Sequence, residues 1–453
     1  MRRRILASLA ALLIGACNAT APASPTPGAP GIPTASATAP TGPAATTPSA
    51  TPAGTRDRVT GWQSDLALLV PGMERLHKDL YHSVDEQALT DAVTALSASA
   101  ASATDDQLLD GVLRIVAMVS AGGCDAHTGA YVWGAGTYPL DSMPLRLWLF
   151  GDDVDVVAAL PPYADLVGKR IVSVEGHPIG DVLEALDPLI PRDNEQTVRL
   201  LTPRFLLIPQ ILRGLGLADG SGPITIGIDQ GDGTTPTSID INPIPMADYN
   251  AWAGPYGLHL PADPKVLYLS RIDDALWWQL LEDGETLFVQ YNRVDPLPAT
   301  TIADLKGFLE DPNVSRVVLD LRHNYGGELH ALDAVEALFQ DPSFDQPGRL
   351  FVVTGRNTFS AGSLLVARLE RDTQAEIVGE PMGGCPTFWS DPTSLNLPFS
   401  GIEVGVADDV AIGVDPNDTR HGILPDTAIE LTLDDWLAGD DPVLDSIVVA
   451  NGP

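Results

Sequence analysis

The sequence is poor in positive charge: 26 lysines and arginines stand against 60 aspartates and glutamates, a formal net charge of −34 over 453 residues. So acidic a chain repels phosphate backbones and anionic headgroups, which argues against nucleic-acid binding and against adhesion of its surface to acidic lipid. It suits a soluble, extracellular or salt-tolerant protein. Cysteine is scarce, with only Cys17, Cys124 and Cys385. No metal-ligand spacing and no phosphate-cradling glycine loop occurs, so no metal and no cofactor is expected. After the first sixteen residues no stretch approaches the ~18 consecutive apolar residues that a membrane-crossing helix needs.

What is present begins with a leader. Met1–Ala16 carries three arginines and an apolar run from Ile5 to Ile14, followed by Gly15-Ala16-Cys17. This reads as a secretion signal, too short to span a membrane as a mature helix. The ending Ile14-Gly15-Ala16-Cys17 resembles a bacterial lipobox, which makes Cys17 the lipidation site and the new N-terminus. Residues 18–55 are Ala, Pro, Thr, Ser and Gly with hardly anything else, and carry no charge up to Thr55. Such a segment cannot bury a core and reads as a disordered tether. The expected location is therefore extracytoplasmic, with a lipid anchor holding the protein to the cell membrane.

Three further regions follow. Residues 56–130 read as a helical subdomain, with apolar stripes Leu66, Leu69, Val70, Met73 and Leu108, Leu109, Val112, Ile115, Val116. Residues 145–242 change to short strand-like runs between Gly and Pro turns, with one long helical stretch over 181–215. Residues 260–450 alternate apolar strands with amphipathic helices, the pattern of an α/β layer, whose reactive groups sit in the turns that leave the strand ends. The strand runs Val317-Val318-Leu319, Leu350-Phe351-Val352-Val353 and Ala375-Glu376-Ile377-Val378 each lead into a glycine-bearing turn. Ser360 lies in the second turn, where a helix opens. Its hydroxyl there would be favoured by free N–H groups if it carried charge, but serine is also a common helix N-cap. Local sequence leaves both roles open.

Three segments together carry a resemblance: Asp320–Gly327, Thr358–Gly362 and Gly379–Pro386. In order and spacing they resemble the tail-specific (C-terminal processing) serine peptidases, relatives of the tricorn core and of interphotoreceptor retinoid-binding protein. The resemblance implies a crotonase-like core of strand–strand–helix units, a peptide or unfolded-protein substrate, and Ser360 as nucleophile. Gly326 or Gly327, with the Ala361 N–H, would form the oxyanion hole. The processing branch of that family uses a lysine 25 positions after the serine; here that position is Cys385, and no lysine follows Ser360. The base must come from elsewhere, as in the branch that uses a histidine.

Cys124-Asp125-Ala126-His127-Thr128 resembles the Asp-Gly-His-Thr turn of that branch, which makes His127 the expected base. Asp418 is the expected acid, one residue out of register, with Asp415, Asp125 and Glu380 as rivals and His421 as a rival base. Residues 168–178 resemble the strand and turn of PDZ-like domains, so the middle region is either peptide-binding or a cover over the cleft. With Cys17 lipidated, Cys124 and Cys385 remain in an oxidising compartment, and a site shared by both would pair them. The alternative function is a catalytically inactive protein that binds a peptide or hydrophobic ligand on the same scaffold.

Overall fold

A computed structural model describes residues 58–449 apart from 131, 133–137, 232, 234, 255–257, 341 and 343–345. The leader, Cys17 and the tether lie outside the described residues. Among the described residues no helix is long and apolar enough to cross a membrane.

The centre of the C-terminal half is a six-stranded sheet. Its strands run in the order Leu276–Leu280, Thr286–Tyr291, Arg316–Asp320, Leu350–Thr354, Glu376–Gly379 and Thr427–Ala428. The first pair is antiparallel and the rest are parallel. Parallel strands need both faces covered, which is why these segments are apolar without alternation. On one face Val317, Leu319, Leu350 and Val352 pack with Leu332, Val335, Leu364 and Leu365 of helices Leu329–Phe339 and Ala361–Asp372. On the other, Val318, Phe351 and Val353 meet Tyr268, Leu269, Trp277 and the C-terminal Val443 and Ile447. Trp277 is thus a core residue, as its apolar neighbours suggest.

The N-terminal helices are Arg58–Leu76, Glu86–Ser99 and Asp105–Val119. Two begin at side-chain caps: Asp85 accepts the Gln87 and Ala88 N–H groups, and Thr104 forms a capping box with Gln107. The middle region is an antiparallel sheet in the order Leu145–Phe150, Asp153–Ala159, Arg170–Val174, Ile224–Asp229, Thr237–Ile241. The long helical stretch expected there is broken into Ile179–Leu186, Glu195–Leu206 and Pro209–Gly214. The helical and middle regions share one core, in which Leu69, Met73, Val112 and Val116 join Val156, Ile171, Phe205 and Ile226.

A long hairpin, Thr387–Asn396 with Glu403–Ile412, spans from the parallel sheet to the first helix. There the buried Asp65 accepts the Phe399 and Ser400 N–H groups at 2.9 and 2.7 Å. Gly129–Ala130 adds a short third strand to the hairpin. Through that strand the segment carrying His127 is laid against the C-terminal half.

Candidate active site

Three turns leave the carboxyl ends of adjacent parallel strands and meet. The first follows Asp320, the second follows Thr354 and the third follows Gly379. They are stitched by side chains. Thr358 Oγ1 donates to the Leu321 carbonyl at 2.8 Å, and the Phe359 N–H donates to the Asn324 carbonyl at 2.9 Å. The Asn324 side chain accepts the Gly326 N–H at 3.0 Å and donates to the Tyr291 carbonyl at 2.8 Å. The Gly384 N–H donates to the Thr358 carbonyl at 3.1 Å. Arg356, behind the second turn, holds Glu380 through two nitrogens at 2.9 and 2.8 Å and donates to the Leu149 carbonyl.

Ser360 stands at the N-cap position of the helix Ala361–Asp372, yet its side chain caps nothing. Its backbone is at φ 54°, ψ −125°, a region that residues with a side chain rarely occupy. That conformation turns Oγ out of the helix and toward an imidazole from the other half of the chain: His127 Nε2 lies 3.3 Å away. The ring is held between Phe359 and Phe388, with centroids at 4.8 and 5.3 Å. Burial drives its pKa down to about 4, against the charge of Asp125, which pulls it up. At neutral pH the imidazole is therefore uncharged and can accept a proton.

Nδ1 of His127 is buried with no side-chain partner among the described residues, and a backbone hydrogen bond from the ring to Trp389 favours its protonated form. Asp418 is not beside it; its carboxylate is bound to Arg420, which also pairs with Glu370. The Arg420 guanidinium holds Asp418 below the usual carboxylate range. Of the rivals, Glu380 is taken by Arg356 and Asp415 accepts from Asn417. Asp125 is buried two residues from His127, and its Oδ2 accepts from both His77 and His82, at 3.2 and 3.0 Å. Burial pushes its carboxyl up, but those two bonds outweigh it and the group stays below its ordinary range. His77 Nδ1 accepts the Asp79 N–H at 3.0 Å, so a neutral ring carries its proton on Nε2 and points it at Asp125. The trio is a hydrogen-bonded support for the His127 turn, since a metal on that nitrogen would have to displace the proton. His421 stands against Gly123, with its carbonyl bound by Asn194.

On the oxyanion side, a Cβ on Gly326 would stand 2.5 Å from Ser360 Cβ and 3.0 Å from the Ala361 nitrogen. The backbone of this turn therefore passes directly over the nucleophile. The Gly326 N–H is already bonded to Asn324, so the amides of Gly327 and Ala361 are the ones with no partner among the described residues. Cys124 and Cys385 are joined as a disulfide, three residues from His127 on one side.

The fold occurs in solved structures. Mature CPAF complexed with lactacystin matches with a TM-score of 0.57 at 13% identity, over 86% of this chain and 97% of that one. The CPAF s499a mutant matches with a TM-score of 0.59 at 12% identity, over 87% and 98% of the two chains. The chain has the fold of the tail-specific serine peptidases. The photosystem II D1 C-terminal processing protease is a more distant match, with a TM-score of 0.38 at 14% identity, over 82% of this chain and 93% of that one. No protein-family model matches the sequence, and neither does any curated protein.

Several residues of the site leave no mark in the sequence. Phe388 and the His77–His82 pair reach it only through the fold. Phe359 and Asn324 carried a signal, since both lie inside the turns that the motifs mark.

Proposed function

We propose that the protein is a serine peptidase that cleaves peptide bonds with Ser360 as nucleophile and His127 as base. The observation that carries this is the backbone conformation of Ser360: an N-cap serine with positive φ and no cap bond, its Oγ 3.3 Å from a neutral imidazole. Oγ attacks the scissile carbonyl while Nε2 takes its proton; Nε2 then protonates the leaving amine. The Gly327 and Ala361 amides receive the oxyanion, assisted by the N-terminus of the helix that Ala361 opens. With no carboxylate on Nδ1, the two phenylalanine rings set the orientation of the imidazole, and Asp125 supplies a negative charge nearby.

The wider reading rests on the same frame. Parallel strands with intervening helices support a crotonase-like core, and the antiparallel middle sheet supports a PDZ-like or covering role beside it. The leader, Cys17 and the uncharged tether support a lipid-anchored extracytoplasmic enzyme. The alternative, an inactive binding protein, is favoured by the lack of a carboxylate on Nδ1, because a missing acid costs a histidine base the charge that would stabilise its protonated form.

A fluorophosphonate probe, which phosphonylates activated serines, decides between them. The full-length protein should label, and Ser360→Ala should abolish labelling. His127→Ala should slow it by at least ~100-fold, with circular dichroism unchanged in both. A folded protein that does not label at any pH is the binding protein instead.

A further inference from the structure

Asp193 is a buried carboxylate that the mechanism above does not use. It stands just before the helix Glu195–Leu206 and reaches both halves of the site. One carboxylate oxygen accepts the Ala126 N–H at 2.7 Å, next to His127. The other accepts the Cys385 N–H at 3.1 Å, in the turn whose Gly384 N–H is bonded to the carbonyl of Thr358. Its own carbonyl accepts the Cys124 N–H at 2.9 Å. The residues after it repeat the pattern: Asn194 Nδ2 donates to the Met382 carbonyl, and Thr197 Oγ1 to that of Gly383. A single carboxylate thus joins the turn that carries the imidazole to the turn that braces the nucleophile.

We propose that Asp193 is a positioning residue for the Ser360–His127 pair, fixing the reach of the imidazole through one amide on each side. The inference rests on the hydrolase reading for its effect on chemistry, but not for the clamp itself. Only an ionised carboxylate accepts well through both oxygens; a protonated one turns one oxygen into a donor facing an N–H. Burial raises the Asp193 carboxyl to about 7, against the two amides that favour its charge. The groups facing it are Asp125, which adds repulsion and is itself bound to His77 and His82, and Arg192 of its own segment, which is committed to Asp187. On the Gly123 side stands His421. The clamp should therefore tighten as pH rises through neutrality, well above the range in which His127 protonates.

The test compares the full-length wild type with Asp193→Asn, which keeps one acceptor and cannot ionise. The rate of fluorophosphonate labelling of the wild type should fall as pH drops below about 7. In Asp193→Asn it should be lower by on the order of 10-fold at pH 8 and lack that inflection, since small displacements of a catalytic group cost rates of this size. Amide exchange, corrected for its intrinsic pH dependence, should show the Ala126 and Cys385 N–H groups of the wild type losing protection over the same pH range. Equal labelling rates and profiles in the two proteins would overturn the proposal. So would wild-type protection at Ala126 and Cys385 that does not respond to pH, a result that needs no variant. If the wild type never labels, the hydrolase reading fails while the exchange experiment still judges the clamp.

Discussion

Ser360 and His127 show how burial and backbone conformation prepare ordinary side chains for chemistry. The imidazole, whose pKa is near 6.5 when exposed, is driven to about 4 by burial. A group whose pKa is depressed on folding contributes stability above its unfolded value, and that contribution is lost as pH falls through the folded one. His127 therefore stabilises the fold at pH 7 relative to pH 4. His127→Gln should flatten the acid limb of a urea-midpoint profile by about 2 kcal/mol between pH 7 and 4.5. An unchanged limb would mean the ring is not buried as described. Asp193 works in the opposite sense. Its raised pKa makes its contribution to stability full at low pH and lost as pH rises through about 7. The labelling rate and the stability attributable to that residue should move in opposite directions across neutrality.

At the scale of elements, the turn after Arg316–Asp320 works because glycine occupies two successive positions at φ 101° and 140°. A Cβ on Gly327 would meet the Val294 carbonyl oxygen at 2.2 Å, a contact with backbone that cannot give way. Gly327→Ala should lower thermal stability and labelling together. Gly326→Ala instead places its methyl against Ser360, 2.5 Å from Cβ. It should cut labelling by more than ~100-fold while leaving the melting temperature nearer to wild type, because the crowded atoms belong to the nucleophile rather than to the sheet. Equal loss of stability in both variants would contradict this division. The hairpin 387–412 depends on Asp65, and Asp65→Ala leaves two N–H groups without their acceptor, costing about 2–3 kcal/mol in denaturant unfolding.

Across the whole molecule, the candidate base and nucleophile are 233 residues apart and come from different halves. The Cys124–Cys385 disulfide closes a separation of 261 residues between those halves. Loop-entropy reasoning puts its stabilisation at about 5.6 kcal/mol as an upper figure. Cys124→Ser with Cys385→Ser should lower the melting temperature by several degrees and slow labelling, since the His127 turn is then held only by Asp193, the hairpin and the bonds of Asp125 to His77 and His82. Identical melting with and without reductant would show that the bridge carries none of this stabilisation. Arg356, bound to Glu380 and to the Leu149 carbonyl, is a second tie between the parallel sheet and the middle region.

The sequence by itself determined the alternation of strands and helices in the C-terminal half, because apolar runs of strand length and helical stripes are local properties. It also located the three turns, since glycines and short polar strings mark turns wherever they fold, whereas the candidate pair Ser360 and His127 came from the family resemblance that those strings carry. What it could not determine was how segments far apart in the chain would face one another. The shared core of the helical and middle regions, the hairpin 387–412, the Phe388 side of the imidazole sandwich and the Asp193 bridge all depend on that. The placement of Asp418 shows why: an acid in nearly the right register was drawn to Arg420, two residues away, by a charge pairing that spacing alone does not reveal. Local pattern fixes which residues occupy turns, whereas only tertiary packing decides which buried polar groups find one another.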